Sequence, residues 1–181
     1  DKWGTHWVTT SGLGVGSARV RIEHLELLTQ GLFVDFVSDF EIDHRNNVIW
    51  LGTLHEVEGE SGISRWNIDD EQWDYFRAQY ISELRDDRVN SIAIDDDHVY
   101  FGTEYGLAIY TPQRDEWQHV DRFDNLADNY IYDVEIDSAY VWVGTGYGLN
   151  RITKSTLDVD SIEVVNVMPQ ALRQVEIYDV A

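Results

Sequence analysis

A segment of about 42 residues recurs along this chain, and that recurrence limits the folds open to it. The clearest copies are Ile131-Tyr-Asp-Val-Glu-Ile-Asp137 followed by Val141-Trp-Val-Gly-Thr145, and Val89-Asn-Ser-Ile-Ala-Ile-Asp95 followed by Val99-Tyr-Phe-Gly-Thr103. Both continue into Tyr-Gly-Leu, at Tyr105–Leu107 and Tyr147–Leu149. An earlier copy reads Val37-Ser-Asp-Phe-Glu-Ile-Asp43, Val48-Ile-Trp-Leu-Gly-Thr53 and Gly62-Ile63. Thr103 to Thr145 is 42 residues and Thr53 to Thr103 is 50, the excess lying in a longer turn at His44–Asn47 and an insertion at Leu54–Ser61. A unit of this length, built only of short alternating apolar segments, is one blade of a β-propeller.

Each unit divides into four strands, A to D. Strand A alternates apolar residues (Val37, Phe40, Ile42; Val89, Ile92, Ile94; Ile131, Val134, Ile136), and its final pair has the period of two that marks one buried face. Asp43, Asp95 and Asp137 follow in register, where a short carboxylate can bond the backbone of a tight A–B turn. Strand B is β-branched and aromatic, and closes on Gly52, Gly102 or Gly144, where a neighbouring backbone approaches. Strand C follows Gly62, Gly106 and Gly148, and the more polar strand D suits an outer edge. An apolar residue stands five positions before each strand A: Leu32, Leu84, Leu126 and Val167 before Val37, Val89, Ile131 and Leu172. Trp50, Tyr100 and Trp142 share one position on strand B, so all three are expected between blades.

Trp3-Gly4-Thr5 matches the end of a strand B, and Leu172–Ile177 matches a strand A. Joined tail to head, Leu172 precedes Thr5 by 14 residues, the spacing of Ile131 and Thr145. The expected division is therefore a blade shared by residues 1–30 and 167–181, with further blades at 32–82, 84–124 and 126–165. Two readings stay open: a four-bladed ring whose last blade is shared by both termini, and a segment of a larger propeller.

The formal net charge of −21 disfavours nucleic acid, whose phosphates need a basic surface, and also docking on anionic lipid. Two Lys against eleven Arg, and Asp outnumbering Glu, resemble the surfaces of salt-adapted proteins. No apolar run approaches the ~20 residues that span a bilayer. The absence of Cys excludes disulfides and thiolate metal sites.

The pattern Leu-x-x-Asn-x-Ile, Ile-Asp, Val-Trp-Val-Gly-Thr, Gly-Leu at Leu126–Leu149 resembles the two-component regulator propeller repeat. The resemblance runs from Trp3 onward in three full and two partial copies. It implies an extracytoplasmic, periplasmic or cell-surface location and a sensing role, since such repeats usually build propellers in the sensor part of histidine kinases.

In an A-B-C-D blade the D–A and B–C connections emerge on one face, and loops on a rigid scaffold carry function. That face collects His6, Trp7, His55, Glu56, Arg85, Arg88, Glu104, Tyr105, Asn129, Tyr130 and Tyr147, a mixture suited to a protein, peptide or carbohydrate ligand. The alternative for Tyr105 and Tyr147 is that they pack their own turns. Asp95-Asp96-Asp97 offers oxygens of the kind calcium takes, but no Asp-x-Asp-x-Asp-Gly loop accompanies it, so a solvated turn is the reading and no cofactor is expected. The six His have no metal spacing, and Gly12-Leu-Gly-Val-Gly-Ser17 precedes a strand pattern rather than a helix. The leading function is a non-catalytic binding or sensor module. The alternatives are a lyase or hydrolase with a loop-face active site, and a structural subunit that assembles through blade edges.

Overall fold

The computed structural model describes residues 5–10, 14–19, 26–28, 31–32, 36–54, 61–157, 162–167 and 176–180, the first three of these stretches as backbone strands only. They form antiparallel sheets of the propeller-blade kind. A three-stranded sheet has the order β1 (Thr5–Thr10), β2 (Gly14–Arg19), β3 (Glu26–Leu28). Three four-stranded sheets follow: β4 (Val37–Asp43), β5 (Val48–Thr53), β6 (Ile63–Asn67), β7 (Gln72–Phe76); β8 (Val89–Ile94), β9 (Val99–Thr103), β10 (Gly106–Thr111), β11 (Glu116–Val120); and β12 (Ile131–Ile136), β13 (Tyr140–Thr145), β14 (Gly148–Thr153), β15 (Val164–Asn166). Within each the spatial order equals the chain order, as short hairpin connections require.

Successive sheets pack face to face through two apolar seams. Alternation decides which side chains enter them, because residues paired across strands share a face. In the first seam Trp50, Ile63 and Phe76 meet Val89, Ile92, Val99, Phe101, Ala108, Tyr110 and Trp117. It is aromatic at its centre, with the Trp50 ring 5.6 Å from each of Phe76, Phe101 and Tyr110 and the Arg65 guanidinium 5.4 Å above it. The second seam is mostly aliphatic, with Leu107, Ile109 and Val120 against Val134, Val143 and Ile152 around Tyr100. The residues five places before strand A, Leu84 and Leu126, are 0% and 4% exposed and plug the seam ends. Burying each such side chain contributes about 1.5–3 kcal/mol.

The closing glycine of strand B is where the next strand A crosses. A Cβ on Gly52 would lie 2.7 Å from Val89 Cγ1, and one on Gly102 would lie 2.7 Å from Ile131 Cγ2 and 3.0 Å from Val134 Cγ2. At Gly144 the same place is held by Ile177 and Val180; Leu172 lies outside the described residues. The match is Ile131-Tyr-Asp-Val134 with Ile177-Tyr-Asp-Val180, four identical residues. The segment that takes the strand A place beside Gly144 therefore starts five residues later than expected, and residues 176–180 run outside any strand. Counted from Ile177, the tail-to-head spacing is nine rather than 14, and the spacing argument for a shared blade lapses.

Trp50 and Tyr100 are buried in the seams at 1% and 0% exposure. Trp142 is not: it is half-buried on the far face of the last sheet, where its Nε1 donates to Asp137 Oδ2 at 2.8 Å. The opposite face of β4 is likewise open: Phe40 is 57% exposed where its counterparts Ile92 and Val134 are buried, and Ile42 is 39% exposed.

Candidate functional site

The expectation that D–A and B–C connections share one face holds. The B–C turn of the third sheet touches the following D–A loop, with Gly106 N–H donating to Asn129 O at 2.8 Å. Two devices shape this face. One is the Thr that ends strand B: Thr103 Oγ1 donates to Gly106 O at 2.7 Å and accepts from Tyr105 N–H at 3.0 Å, and Thr145 does the same for Gly148 and Tyr147. Gly106, at φ 115°, closes the turn in a conformation that disfavours a side chain. Because backbone bonds hold the turns, the rings are free, and Tyr105 and Tyr147 are 57% and 52% exposed.

The second device is a bulge at the start of each strand A, between Val37 and Asp39, Val89 and Ser91, and Ile131 and Asp133. A bulge turns the extra residue out of the ladder. Those residues, Ser38 and Asn90, bond the next sheet: Ser38 Oγ to Val89 O at 2.5 Å and Asn90 Nδ2 to Ile131 O at 2.7 Å. The following residue stitches innermost strands together. Asp39 Oδ2 accepts from Ile92 N–H at 2.6 Å, Ser91 Oγ from Val134 N–H at 3.1 Å, and Asp133 Oδ2 from Val180 N–H at 2.7 Å. Burial pushes the Asp39 carboxyl up, against its backbone bonds and with help from Asp133. Glu41, one turn of the pleat lower, is raised by burial and by Asp39 and Glu135.

At the mouth these devices assemble a mixed cluster. Arg88 grips Asp86 through Nε (3.0 Å) and a terminal nitrogen (2.7 Å), and its other terminal nitrogen meets Glu104 Oε2 at 2.6 Å. Tyr130 Oη donates to Glu104 Oε1 at 3.3 Å, and burial and Glu104 raise its phenol. The Tyr130 ring is 4.7 Å from Tyr132, and Tyr132 is 4.5 Å from Tyr178, whose hydroxyl bonds Glu176 and is pushed up to about 12.

Of the sequence-derived candidates, Arg88, Glu104 and Tyr130 converge, and Tyr105 and Tyr147 stand exposed on the turns beside them. Arg85 turns away to Asp121 Oδ2 at 3.4 Å. Asn129 is spent on the loop, its Oδ1 accepting from Arg122 N–H at 3.0 Å. His55 and Glu56 lie outside the described residues, and His6 and Trp7 fall on β1, whose side chains are not described. Sequence reasoning missed Asp86, Tyr132 and Tyr178; the repeated Ile-Tyr-Asp-Val was the available signal for the two tyrosines.

The opposite face is held by A–B turns. Asp43, Asp95 and Asp137 each accept from backbone N–H groups two and three residues on. Burial pushes the Asp95 carboxyl up, but bonds from His98, Lys154 and the backbone prevail and hold it far below the usual carboxylate range. Its oxygens also take Tyr100 Oη and Lys154 Nζ, each at 2.9 Å, and Asp96 pairs with Arg45 of the preceding sheet. The Asp95–Asp97 run thus acts as turn and inter-blade tie. Among the described residues, no three metal-binding side chains converge. No helix among them is long and apolar enough to cross a membrane. An open groove of about 570 Å³ between Leu126 and Val164 lies on the outer rim.

No protein-family model matches the chain. No curated protein matches it. Solved structures do. The extracellular domain assigned to the one-component system BT4673 of B. thetaiotaomicron aligns with a TM-score of 0.61 at 18% identity over 87% of this chain. That assigned to the hybrid two-component system BT3049 of the same organism aligns with a TM-score of 0.59 at 16% identity over 92%. The chain spans 20% and 23% of those two extracellular-domain chains respectively. At these identities the likeness is one of fold: this all-β chain of propeller blades shares the architecture of part of two extracellular domains.

Proposed function

We propose that this chain is a non-catalytic recognition module on a propeller scaffold, working outside the cytoplasm as part of a sensor, and that its ligand binds at the mouth formed by Arg88, Glu104, Tyr130, Tyr132 and Tyr178. The observation that carries this reading is the unbroken run of contacts that joins those five side chains, from the loop before β8, the turn after β9, the start of β12 and the segment at 176–180. Aromatic faces beside charged groups on a rigid frame suit a peptide, protein or carbohydrate. The extracellular placement of the two structural neighbours supports the location, and their assignment to one- and two-component systems supports the sensing role. The enzyme alternative gains less support, since the mouth's titratable groups are engaged with one another rather than set as nucleophile and base.

The test is a binding screen of oligosaccharides and peptides against the wild type, Tyr132→Ala and Glu104→Gln, read by calorimetry. A ligand whose affinity falls at least about ten-fold in both variants supports the mouth. A ligand unaffected by either places recognition elsewhere.

A further inference from the structure

We infer that the group recognised at this mouth is an organic cation, a primary or quaternary ammonium carried by the ligand. The inference rests on the mouth being the binding site and adds the chemical class that fits it.

Three features point the same way. The first is the aromatic row. Tyr130, Tyr132 and Tyr178 follow one another at 4.7 and 4.5 Å, with Tyr178 63% exposed. Tyrosine faces attract cations through the ring quadrupole. Here the attraction is strengthened, because Tyr130 donates its hydroxyl proton to Glu104 and Tyr178 donates its own to Glu176. A phenol that donates to a carboxylate holds more electron density in its ring.

The second feature is the state of the arginines. Arg88 already has Asp86 and Glu104, and Arg85 already has Asp121. An anionic ligand would have to displace a carboxylate to reach either, whereas a cation can share Glu104 with Arg88. The third is a set of carboxylates on the inner strands. Asp39 and Asp133 on the bulges, then Glu41 and Glu135 two residues further along, line the same inner strands, and they repel one another enough to contribute to the raised Asp39 and Glu41 carboxyls. A positive group brought near them relieves that repulsion; a negative one adds to it.

The experiment compares choline with its uncharged carbon isostere, in which a tert-butyl group replaces trimethylammonium, at physiological salt. Binding is followed by tyrosine chemical shifts. The expected result is choline binding at least about ten-fold tighter than the isostere. Tyr132→Ala and Glu104→Gln should each lose most of that preference, and Tyr132→Phe should keep it. Melting curves of the variants identify any that fail to fold, and the conservative Phe and Gln changes remain readable in that event. Equal binding of the two probes, binding of neither, or choline binding untouched by the mouth variants overturns the cation assignment. The last outcome would mark diffuse attraction to the −21 surface. A neutral oligosaccharide lost in Tyr132→Ala while the two probes behave alike would overturn the charge class and leave the mouth standing.

Discussion

Gly102→Ala tests the seam design most directly. The added methyl would lie 2.7 Å from Ile131 Cγ2 and 3.0 Å from Val134 Cγ2, and both partners are buried, at 0% and 2% exposure. Neither branched side chain can rotate away within a packed seam, so β9 and β12 must separate. Overpacking of this kind costs about 1–3 kcal/mol. Taking about 2 kcal/mol, a domain of this size should lose roughly 4–8 °C in Tm. Ile131→Ala alone should cost about 2–5 kcal/mol as a cavity. In the double variant the new methyl enters the vacated space, so the two losses should fall short of additive by about 1 kcal/mol or more. Gly146→Ala is the control. Its methyl would meet only the flexible end of Asp128, at 2.9 Å, and should change stability by less than about 0.5 kcal/mol. Calorimetric melts of the four variants and the wild type decide the matter. A Gly102→Ala protein that melts with the wild type, or strictly additive losses, would refute the close approach of successive blades at this glycine.

In this cysteine-free chain the same geometry can be read by cross-linking. A Cβ on Gly102 lies 3.5 Å from Ile131 Cβ, within the ~3.5–4.5 Å of a disulfide, so Gly102→Cys with Ile131→Cys should close on oxidation. Trp50→Ala should cost about 3–5 kcal/mol as a buried aromatic. Trp142→Ala should cost only about 1 kcal/mol, chiefly its bond to Asp137, and similar denaturant midpoints for the two would place both rings alike. Burial, and then Arg85, lower the His119 pKa below the ~6.5 of the unfolded chain. Stability from this group is therefore fully present above about pH 6.5 and is lost as pH falls toward the folded value; His119→Gln should flatten that slope in Tm against pH. Sodium chloride should raise Tm by screening the −21 charge, and calcium chloride at matched ionic strength should add nothing, since the Asp95 oxygens are already taken. A calcium-specific rise would return Asp95–Asp97 to the role of ligands.

The sequence alone determined the blade and its internal order. Alternation of period two assigns faces, and the repeat of Asp, Gly and Thr marks turns, because each of these features is local: Asp95 bonds residues two and three ahead, and Thr103 bonds a turn three residues on. The same local reasoning placed Arg88, Glu104 and Tyr130 on one face. What it did not resolve was decided between sheets. Ser38 reaches Val89, Asp39 reaches Ile92 and Ser91 reaches Val134, each across 43 to 53 residues, and no periodicity announces which polar residue of a strand will face its neighbour. The bulges that turn Ser38 and Asn90 out of the ladder are likewise invisible to a pattern that counts only apolar positions. Leu172 and Ile177 both fit an alternating segment, and only the space beside Gly144 shows that Ile177 fills it. Trp50 and Trp142 occupy equivalent places in the repeat, but one has an aromatic seam against it and the other an open face. A repeat dictates which face a side chain takes; the neighbouring sheet dictates whether that face is buried.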